Sequence, residues 1–337
     1  MVSLKDISIK CGVSVATVSK ALNNHRDIAD STKEQVKKIA MEMGYFPNSS
    51  ARALKTNRSY ILGVLFAGEA QSSFTHEYFA SMLNSFKVEA EKCGYDITFI
   101  SKYSGYKGMS CYEHSKYRGV DGVVIACSDF SDPEILELVN GDLPVVTIDH
   151  VFDKRTAIIS DNVKGMNTLI SYIYEMGHRK IAYIHGAASS VSHNRLGSFY
   201  KTLGELGIKV PDEYVKRGIY NDPDASELLT RELLDLKKPP TCIIFPDDFS
   251  CIGGINEIKK RGLTIPDDIS VAGYDGILLS QMLNPRLATI KQDTKALGEC
   301  AAEKLIRMIE NPKAAIIERV VIEGKMFKGK SVKNLNE

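Results

Sequence analysis

The strongest constraint on the fold is an alternation of short β-branched runs with amphipathic segments, which begins at Tyr60. Strands that alternate with helices are typical of βαβ units, in which helices cover a parallel sheet. The strand-like runs are 61–66, 97–100, 120–127, 145–148, 181–184, 242–245 and 269–274. The main helix-like segments are 78–92, 164–176, 194–206, 224–236 and 250–261. This region is too long for one compact unit of that type, so we expect two similar lobes.

Candidate ligand-binding side chains lie directly after several of these strands. Asp149, Asp247 and Asp275 each follow a strand-like run, and Arg195 lies at the start of a helix-like segment. Open α/β sheets bind ligands at the carboxyl ends of their strands, so we expect a site in the cleft between the lobes. Carboxylates accept hydrogen bonds from hydroxyls and a guanidinium donates to sugar oxygens, which together favour a polyol. Asp149 and Asp247 are equally consistent with a surface role.

The N-terminal segment has the punctuation of short capped helices. Ser3 and Asp6 form a capping-box pattern at the start of the first helix, which Gly12 ends. Ser14 is the expected cap of a second helix that runs to about Asn23. The pattern therefore predicts two helices joined by a tight turn.

A third helix is expected after a polar loop. Ser31 and Glu34 form another capping-box pattern, and apolar residues recur at helical spacing up to Gly44. Two helices joined by such a turn match a DNA-reading helix-turn-helix, in which the start of the second helix faces base edges in the major groove. The expected DNA contacts of this helix are Ser14, Val15, Ala16, Thr17, Ser19, Lys20 and Asn23. An ordinary three-helix bundle used for protein contacts would have the same spacing.

The charge distribution agrees with a DNA-binding end. Residues 1–59 hold ten Lys and Arg against five Asp and Glu, a net charge of +5. The remainder holds 33 against 37, a net of −4, and the two values sum to +1. A basic head on a mildly acidic body indicates that one end meets a polyanion, although an excess of this size is also typical of a solvated surface.

A linker with the sequence PNSSARALKTNRS occupies residues 47–59. Asn48 or Ser49 can cap a short run of helix formers, and such a short helix is marginal alone in water. We expect it to fold only when it packs against DNA and a second copy of itself. Leu54 is a large apolar residue among polar ones, which fits poorly with a plain flexible linker. Arg52 either contacts a phosphate or is solvated.

Two stretches carry a specific family resemblance. The segments SLKDISIKCGVSVATVSKALN (3–23) and GYFPNSSARALKTNRSYILGV (44–64) resemble the headpiece and linker of the lactose-repressor (LacI/GalR) family. The stretches VDGVVI, SDNVKG, MGHRKIAYIHG, IPDDISVAGYDG and LATIKQD resemble landmarks of that family's effector domain. The resemblance implies an all-α helix-turn-helix headpiece followed by an α/β two-lobed, periplasmic-binding-protein-like (type I) effector domain.

The resemblance also implies a domain organisation. Residues 1–46 would form the headpiece, 47–59 the hinge helix or linker, and 60–337 the two-lobed domain that binds the effector and dimerises. The chain would cross between lobes near Ser160, Ile290 and Val320. The N-lobe would then consist of about 60–160 and 291–319, and the C-lobe of about 161–290 and 320–330.

Site roles follow from the same resemblance. The hinge helix of the family enters the minor groove and a leucine wedges into the central base step, a position that Leu54 matches here. Tyr78, Phe79 and Tyr220 match positions where aromatic rings line the cleft, although Phe79 is equally consistent with core packing. The match strengthens the assignment of Arg195 and Asp275 to the effector.

One departure from the family pattern bears on the ligand. Asp247 and Asp248 stand where the family often has Asn-Asp. Acids outnumber the single Arg in such a cleft, which disfavours phosphates and carboxylates. We therefore expect a neutral sugar or small glycoside as the effector, rather than a purine or a phosphosugar.

Several other classes of protein fit the sequence less well. The apolar runs are too short to span a membrane and no secretory signal is present, so a cytoplasmic location is expected and an exported binding protein is disfavoured. No metal-binding cysteine pattern, cofactor motif or hydrolase signature occurs, so we expect no cofactor or metal. An enzyme that uses Asp149, Asp247 and Asp275 as acid-base groups is the rival from another class.

The expected function is repression of a carbohydrate-utilisation operon. One headpiece reads only a half-site, so a homodimer on a palindromic operator is expected. A small-molecule effector would shift the lobes and change whether the hinge helices pair. A global regulator of the same family, gated by a phosphoprotein partner, remains an alternative.

Overall fold

The computed structural model describes residues 2–46, 58–66, 76–101 and 108–336. The chain divides into two compact units, Met1–Ser59 and Tyr60–Glu337. Each unit has its own hydrophobic core, so each is a separate folding domain in the structural sense.

The first unit contains the helices α1 (Leu4–Cys11), α2 (Val15–Leu22) and α3 (Asp30–Glu42). Ser3 caps α1 in a complete capping box with Asp6, as the sequence predicted. The helix ends at Gly12 (φ +69°), a left-handed conformation that glycine adopts without steric cost. The turn between α1 and α2 therefore has the form expected of a helix-turn-helix. The small hydrophobic core of this first unit consists of Ile7, Val18, Ala21, Val36 and Ala40.

The start of α3 differs from the sequence prediction. The helix begins at Asp30 with Ala29 in the capping position, and no side chain caps it. The predicted capping box of Ser31 and Glu34 is therefore wrong, because Ser31 already lies inside the helix. Asp30 instead places an acidic group in the first turn, where the helix dipole favours it.

The first lobe of the larger unit is built on a six-stranded parallel sheet. Its strand order is β11-β5-β4-β3-β1-β2. The strands are β1 (Ile61–Phe66), β2 (Asp96–Ile100), β3 (Gly122–Ala126), β4 (Val145–Ile148), β5 (Thr156–Ser160) and β11 (Arg319–Ile322). The helices that accompany it are α4 (Glu77–Lys92), α5 (Cys111–Arg118), α6 (Pro133–Asn140) and α12 (Thr294–Glu310). Strands β3 and β4 are buried along their whole length, as expected of a parallel sheet covered on both faces.

The second lobe repeats this arrangement around a four-stranded parallel sheet of order β7-β6-β8-β9. Its strands are β6 (Ile181–His185), β7 (Val215–Arg217), β8 (Cys242–Ile244) and β9 (Ser270–Ala272). Its helices are α7 (Asn162–Glu175), α8 (Ser190–Glu205), α9 (Pro223–Leu234), α10 (Cys251–Lys260) and α11 (Leu278–Met282). An antiparallel pair, β10 (Thr289–Lys291) with β12 (Lys325–Phe327), completes the unit.

Three segments connect the lobes. The first follows Ser160 and the second follows β10, close to the predicted positions near Ser160 and Ile290. The third was predicted near Val320, but that residue pairs with Ile158 inside the first-lobe sheet. The chain therefore leaves the first lobe only after Ile322, and the predicted boundary at residue 319 is three residues too early.

Candidate functional site

The candidate DNA-reading surface is the start of α2. Ser14 caps the helix by accepting a hydrogen bond from the Thr17 backbone N–H (3.0 Å), and its hydroxyl lies 2.8 Å from that of Thr17. The next two side chains point into solvent, and Val15 is 43% exposed. An exposed valine beside Ala16 leaves two small apolar side chains free, of the kind that contact thymine methyl groups.

Polar side chains near the C-terminal end of α2 form hydrogen bonds and an ion pair within the headpiece. Lys20 forms an exposed ion pair with Asp27, and this hydrogen bond holds the pKa of Asp27 below its usual value. The Asn23 amide donates to the Ser19 carbonyl (2.7 Å). An exposed ion pair contributes little stability, so Lys20 can exchange Asp27 for a phosphate at small cost. The other predicted DNA contacts, Asn48, Arg52 and Leu54, lie outside the described residues.

The candidate effector site lies where first-lobe and second-lobe strands end. Asp149 directly follows β4, and Asp275 follows β9 after a short connection. Both have positive φ angles, +57° and +106°. Such backbone conformations are uncommon for residues other than glycine and often occur at functional sites. Tyr78 on α4 and Arg195 on α8 complete the group.

Asp149 is the centre of a first-lobe hydrogen-bond network. It accepts from the Ser160 backbone N–H (2.7 Å) and from the Tyr78 hydroxyl (3.0 Å). Burial raises the pKa of Asp149, and these donors together with the charge of Arg195 oppose that effect. Burial and the charge of Asp149 hold the pKa of Tyr78 well above its usual range, so the phenol remains a donor. The network links Asp149 and Tyr78 to Ser160. Ser160 is the last residue of β5, after which the chain first crosses to the second lobe.

Arg195 is a buried charged side chain, at 3% exposure. Its Nε donates to Asn162 Oδ1 (2.7 Å) and its Nη1 donates to the Pro246 carbonyl (3.0 Å). The guanidinium carbon lies 3.6 Å from the centre of the Tyr274 ring, a stacked cation–π contact. These contacts fix the plane of the guanidinium and leave its other N–H groups for Asp275 and a ligand.

Asp275 is held between Arg195 and Gln292. The Gln292 amide donates to Asp275 Oδ1 (2.6 Å), and Arg195 Nη2 lies 3.7 Å from the same oxygen. Burial raises the pKa of Asp275 to about 7, although the charge of Arg195 opposes that shift. The raised pKa brings protonation of this carboxyl towards neutral pH, so it accepts hydrogen bonds when ionised and can donate one when protonated.

Tyr220 forms an aromatic wall near Arg195. Its ring centre lies 6.0 Å from the guanidinium carbon, and its hydroxyl lies 2.9 Å from that of Ser192. A side chain at Gly186 would overlap the ring, since a Cβ there would lie 2.1 Å from a ring carbon. The absence of a side chain at Gly186 therefore allows the ring its position, while Ser192 on α8 fixes the hydroxyl.

Asp247 differs from the other predicted ligand residues. One oxygen accepts from the Ser250 backbone N–H (2.7 Å), and the other accepts from the Asn221 backbone N–H (2.9 Å) and the Ser250 hydroxyl (2.7 Å). These bonds favour a structural role, in which Asp247 holds the loop that follows Tyr220. The adjacent Asp248 accepts from the Ile277 backbone N–H, and burial keeps its pKa well above its usual range.

Phe79 is half-buried and packs against the first-lobe core. Its ring centre lies 5.1 Å from that of Phe66 and 4.9 Å from that of Tyr78, both in edge-on arrangements. The contacts of Phe79 support the core-packing interpretation more directly than a ligand contact.

The lobes also touch on either side of this group. The Leu278 backbone N–H donates to Glu77 Oε1 (2.7 Å), and His150 Nδ1 lies 2.8 Å from the Ser190 hydroxyl. A cavity of about 510 Å³ adjoins the first of these contacts, and Tyr78 and Asp275 line part of it. That volume is within the range of small-molecule sites.

Three supporting residues were missed by sequence reasoning. Asn162 and Tyr274 orient Arg195, and Gln292 holds Asp275. All three lie in stretches that carried the family resemblance, SDNVKG, VAGYDG and LATIKQD. Their positions in those stretches were the available signal, but only the geometry shows which side chain each one supports.

The side chains of the candidate effector site are mainly hydrogen-bonding groups. Within the described ranges, no group of three His, Cys, Asp or Glu side chains is placed to hold a metal ion. The same part of the chain contains no helix long and apolar enough to cross a membrane. Hydrogen-bond donors and acceptors converge around Arg195 and Asp275.

Comparisons with known proteins match the chain to bacterial transcriptional repressors. A family model described as "Bacterial regulatory proteins, lacI family" matches residues 3–48, and a "Periplasmic binding protein-like domain" matches residues 170–332. The chain is 30% identical over 315 residues to the probable HTH-type transcriptional repressor ExuR of Bacillus subtilis (strain 168), and the aligned region covers 93% of each chain. It is 29% identical over 341 residues to the HTH-type transcriptional repressor PurR of Mannheimia succiniciproducens, which covers 99% of this chain and all of that one.

Solved structures share the fold. The Lac repressor dimer bound to operator and the anti-inducer ONPF is similar with a TM-score of 0.83 and 24% identity, over 98% of this chain and 99% of that one. The transcriptional regulator CelR–cellobiose complex is similar with a TM-score of 0.72 and 22% identity, over 98% and 100% of the two chains. These likenesses agree with the headpiece and two-lobed α/β architecture described above.

Proposed function

Since the chain belongs to the LacI family and is therefore a DNA-binding transcriptional repressor rather than an enzyme, we propose that a neutral sugar controls it. The sugar would bind in the cleft between the lobes and regulate repression of a carbohydrate-utilisation operon. The site of action would be the cytoplasm, where the operator is.

The observation that carries this proposal is the cluster of Arg195, Asp275 and Asp149. One guanidinium faces two carboxyl groups, so the cluster has no excess positive charge for a phosphate or a carboxylate. Each group retains hydrogen-bonding capacity beyond its protein contacts. A ring hydroxyl can donate to a carboxylate and accept from the guanidinium at the same time, which a neutral sugar satisfies without adding a buried charge.

The proposed effector contacts come from both lobes. Tyr78 and Asp149 belong to the first lobe, whereas Arg195, Tyr220 and Asp275 belong to the second. A ligand that touches both lobes stabilises the arrangement in which the two sets are close, and it shifts the equilibrium only by its differential affinity for that arrangement. Asp247 supports this group by holding the loop beside Tyr220.

The geometry also favours coupling between the cleft and the connections of the lobes. Asp149 bonds to Ser160 and Arg195 bonds to Asn162, on either side of the first crossing. Asp275 bonds to Gln292, in the second crossing. An effector that moves these side chains acts directly on the segments about which the lobes rotate.

On the DNA side, we propose a homodimer that reads a palindromic operator. The start of α2 supplies Val15 and Ala16 to base edges, with Lys20 near the backbone. Leu54 of each hinge helix wedges into the minor groove at the operator centre, with Asn48 and Arg52 beside it. Lobe rotation would alter the pairing of the hinge helices and release the operator.

The test is fluorescence anisotropy of a labelled palindromic operator with the full-length protein, titrated with neutral sugars and, separately, with sugar phosphates. Release by one neutral sugar and no response to its phosphate would support the proposal. A response to a sugar phosphate alone would overturn the neutral-ligand assignment. Operator binding that no small molecule changes would favour control by a phosphoprotein partner.

A further inference from the structure

His76 occupies the capping position of α4 but does not cap the helix. No side-chain hydrogen bond is made there, although this position favours Ser, Thr, Asp or Asn, whose oxygens bond the free backbone N–H groups. The imidazole is instead turned inward and is only 9% exposed. Helix formation therefore does not explain a histidine at this position.

The imidazole packs on first-lobe aromatic rings and interacts electrostatically with charged groups of the second lobe. Its ring centre is 5.1 Å from that of Phe79 and 6.2 Å from that of Tyr78. Burial lowers the pKa of His76, the charges of Asp247 and Glu77 raise it, and Arg195 lowers it further. Asp247 and Arg195 belong to the second lobe, so a first-lobe side chain faces the second lobe beside the proposed effector contacts.

The Nδ1 atom of His76 is buried and has no hydrogen-bond partner among the residues that the structure describes. A buried polar atom without a partner is costly, and most are satisfied. His178 shows the usual pattern, because its Nδ1 lies 2.9 Å from the Thr241 hydroxyl and its Nε2 lies 3.1 Å from the Lys333 carbonyl. The two buried histidines therefore differ in that only His178 is fully bonded within the protein.

We propose that His76 is a specificity-determining effector contact, whose imidazole hydrogen-bonds a hydroxyl of a neutral sugar held between it and Arg195. This rests on the proposed function and adds a contact from the first lobe. A neutral imidazole offers one donor and one acceptor, which a hydroxyl matches. A phosphate or carboxylate at the same place would meet the negative charges of Asp247 and Glu77.

The test compares sugar binding by three variants of the full-length protein, with the neutral sugar that releases operator from the wild type in a panel of mono- and disaccharides. His76→Leu removes the hydrogen-bonding atoms and is expected to weaken sugar affinity 10- to 100-fold. His76→Asn places a polar atom close to where Nδ1 lies, so it is expected to retain sugar affinity within about threefold. Operator affinity without sugar should be unchanged in both.

His178→Leu is the matched control, because it removes a second buried imidazole by the same substitution. It is expected to lower thermal stability and to leave sugar affinity unchanged. Wild-type affinity in His76→Leu, or equal losses in His76→Leu and His76→Asn, would overturn the role of His76 alone. A wild-type protein that binds operator but responds to no neutral sugar would overturn the proposed effector, and this assignment with it.

Discussion

The substitution Arg195→Lys keeps the positive charge of this side chain but removes the planar guanidinium group. Arg195 donates to two buried acceptors, Asn162 Oδ1 and the Pro246 carbonyl, and stacks on Tyr274. An ammonium retains the positive charge beside Asp275, but it has neither the planar fork nor the stacking face. The substitution therefore tests whether the orientation of the donors, rather than the charge alone, recognises the effector.

The expected magnitude follows from these contacts. Two of the five guanidinium donors are bound to the protein, which leaves the remaining donors for Asp275 and the sugar. A lysine that bonds to either buried acceptor turns away from the ligand, so about one charge-assisted hydrogen bond to the sugar is lost. That loss is about 2 kcal/mol of binding free energy, or about 30-fold in sugar affinity.

The assay is sugar titration of the operator complex, followed by anisotropy, together with thermal unfolding of each variant. Arg179→Lys is the matched control, because Arg179 also stacks on a tyrosine (Tyr174, 3.7 Å) and donates to backbone carbonyls, but on the exposed surface after α7. We expect normal sugar affinity and normal operator affinity in the control. An Arg195→Lys protein that responds to sugar within threefold of the wild type would refute the reasoning.

Three further predictions concern other parts of the molecule. Leu54→Ala should weaken operator binding at least tenfold and leave sugar affinity intact; anisotropy that shows unchanged operator affinity would remove its role as a wedge. Ser14→Ala removes the cap of α2, so thermal unfolding should show the headpiece destabilised by about 1 kcal/mol, and an unchanged melting curve would count against the cap. Because the pKa of Asp275 is raised in the folded protein, its contribution to the free energy of unfolding is lost as pH rises from about 4 through about 7. Asp275→Asn should therefore reduce the pH dependence of the melting temperature between pH 5 and 8. The same pH dependence in the variant and the wild type would argue against the shift.

The architecture was predictable because the relevant signals are local and repeat along the chain. Continuous apolar runs such as that of β3 indicate buried parallel strands, and the Ser3–Asp6 capping box indicates the start of α1. The start of α3 was missed because the helix is capped at Ala29, two residues before Ser31, where the apparent capping pattern begins. The third crossing was misplaced because the pairing of Val320 with Ile158 is a contact distant in sequence.

The composition of the candidate site was predictable only in part. Residues after strands could be expected at the cleft, and Asp149 and Asp275 indeed lie beside Tyr78 and Arg195. The sequence does not show how many hydrogen bonds each acid already makes within the protein. The structure does, and it distinguishes Asp247, whose oxygens are bound by backbone and serine donors, from Asp275, which faces Arg195.

The most direct test of sugar binding in the cleft is hydrogen exchange of the full-length protein, followed by mass spectrometry with and without the sugar that changes operator binding. The account predicts slower exchange in the two crossing segments that hold Ser160, Asn162 and Gln292, and in the loop that carries Asp275. Little change is expected in the outer helices α5 and α9. Protection confined to other surfaces, with these segments unchanged, would show that the sugar binds elsewhere and would contradict the account.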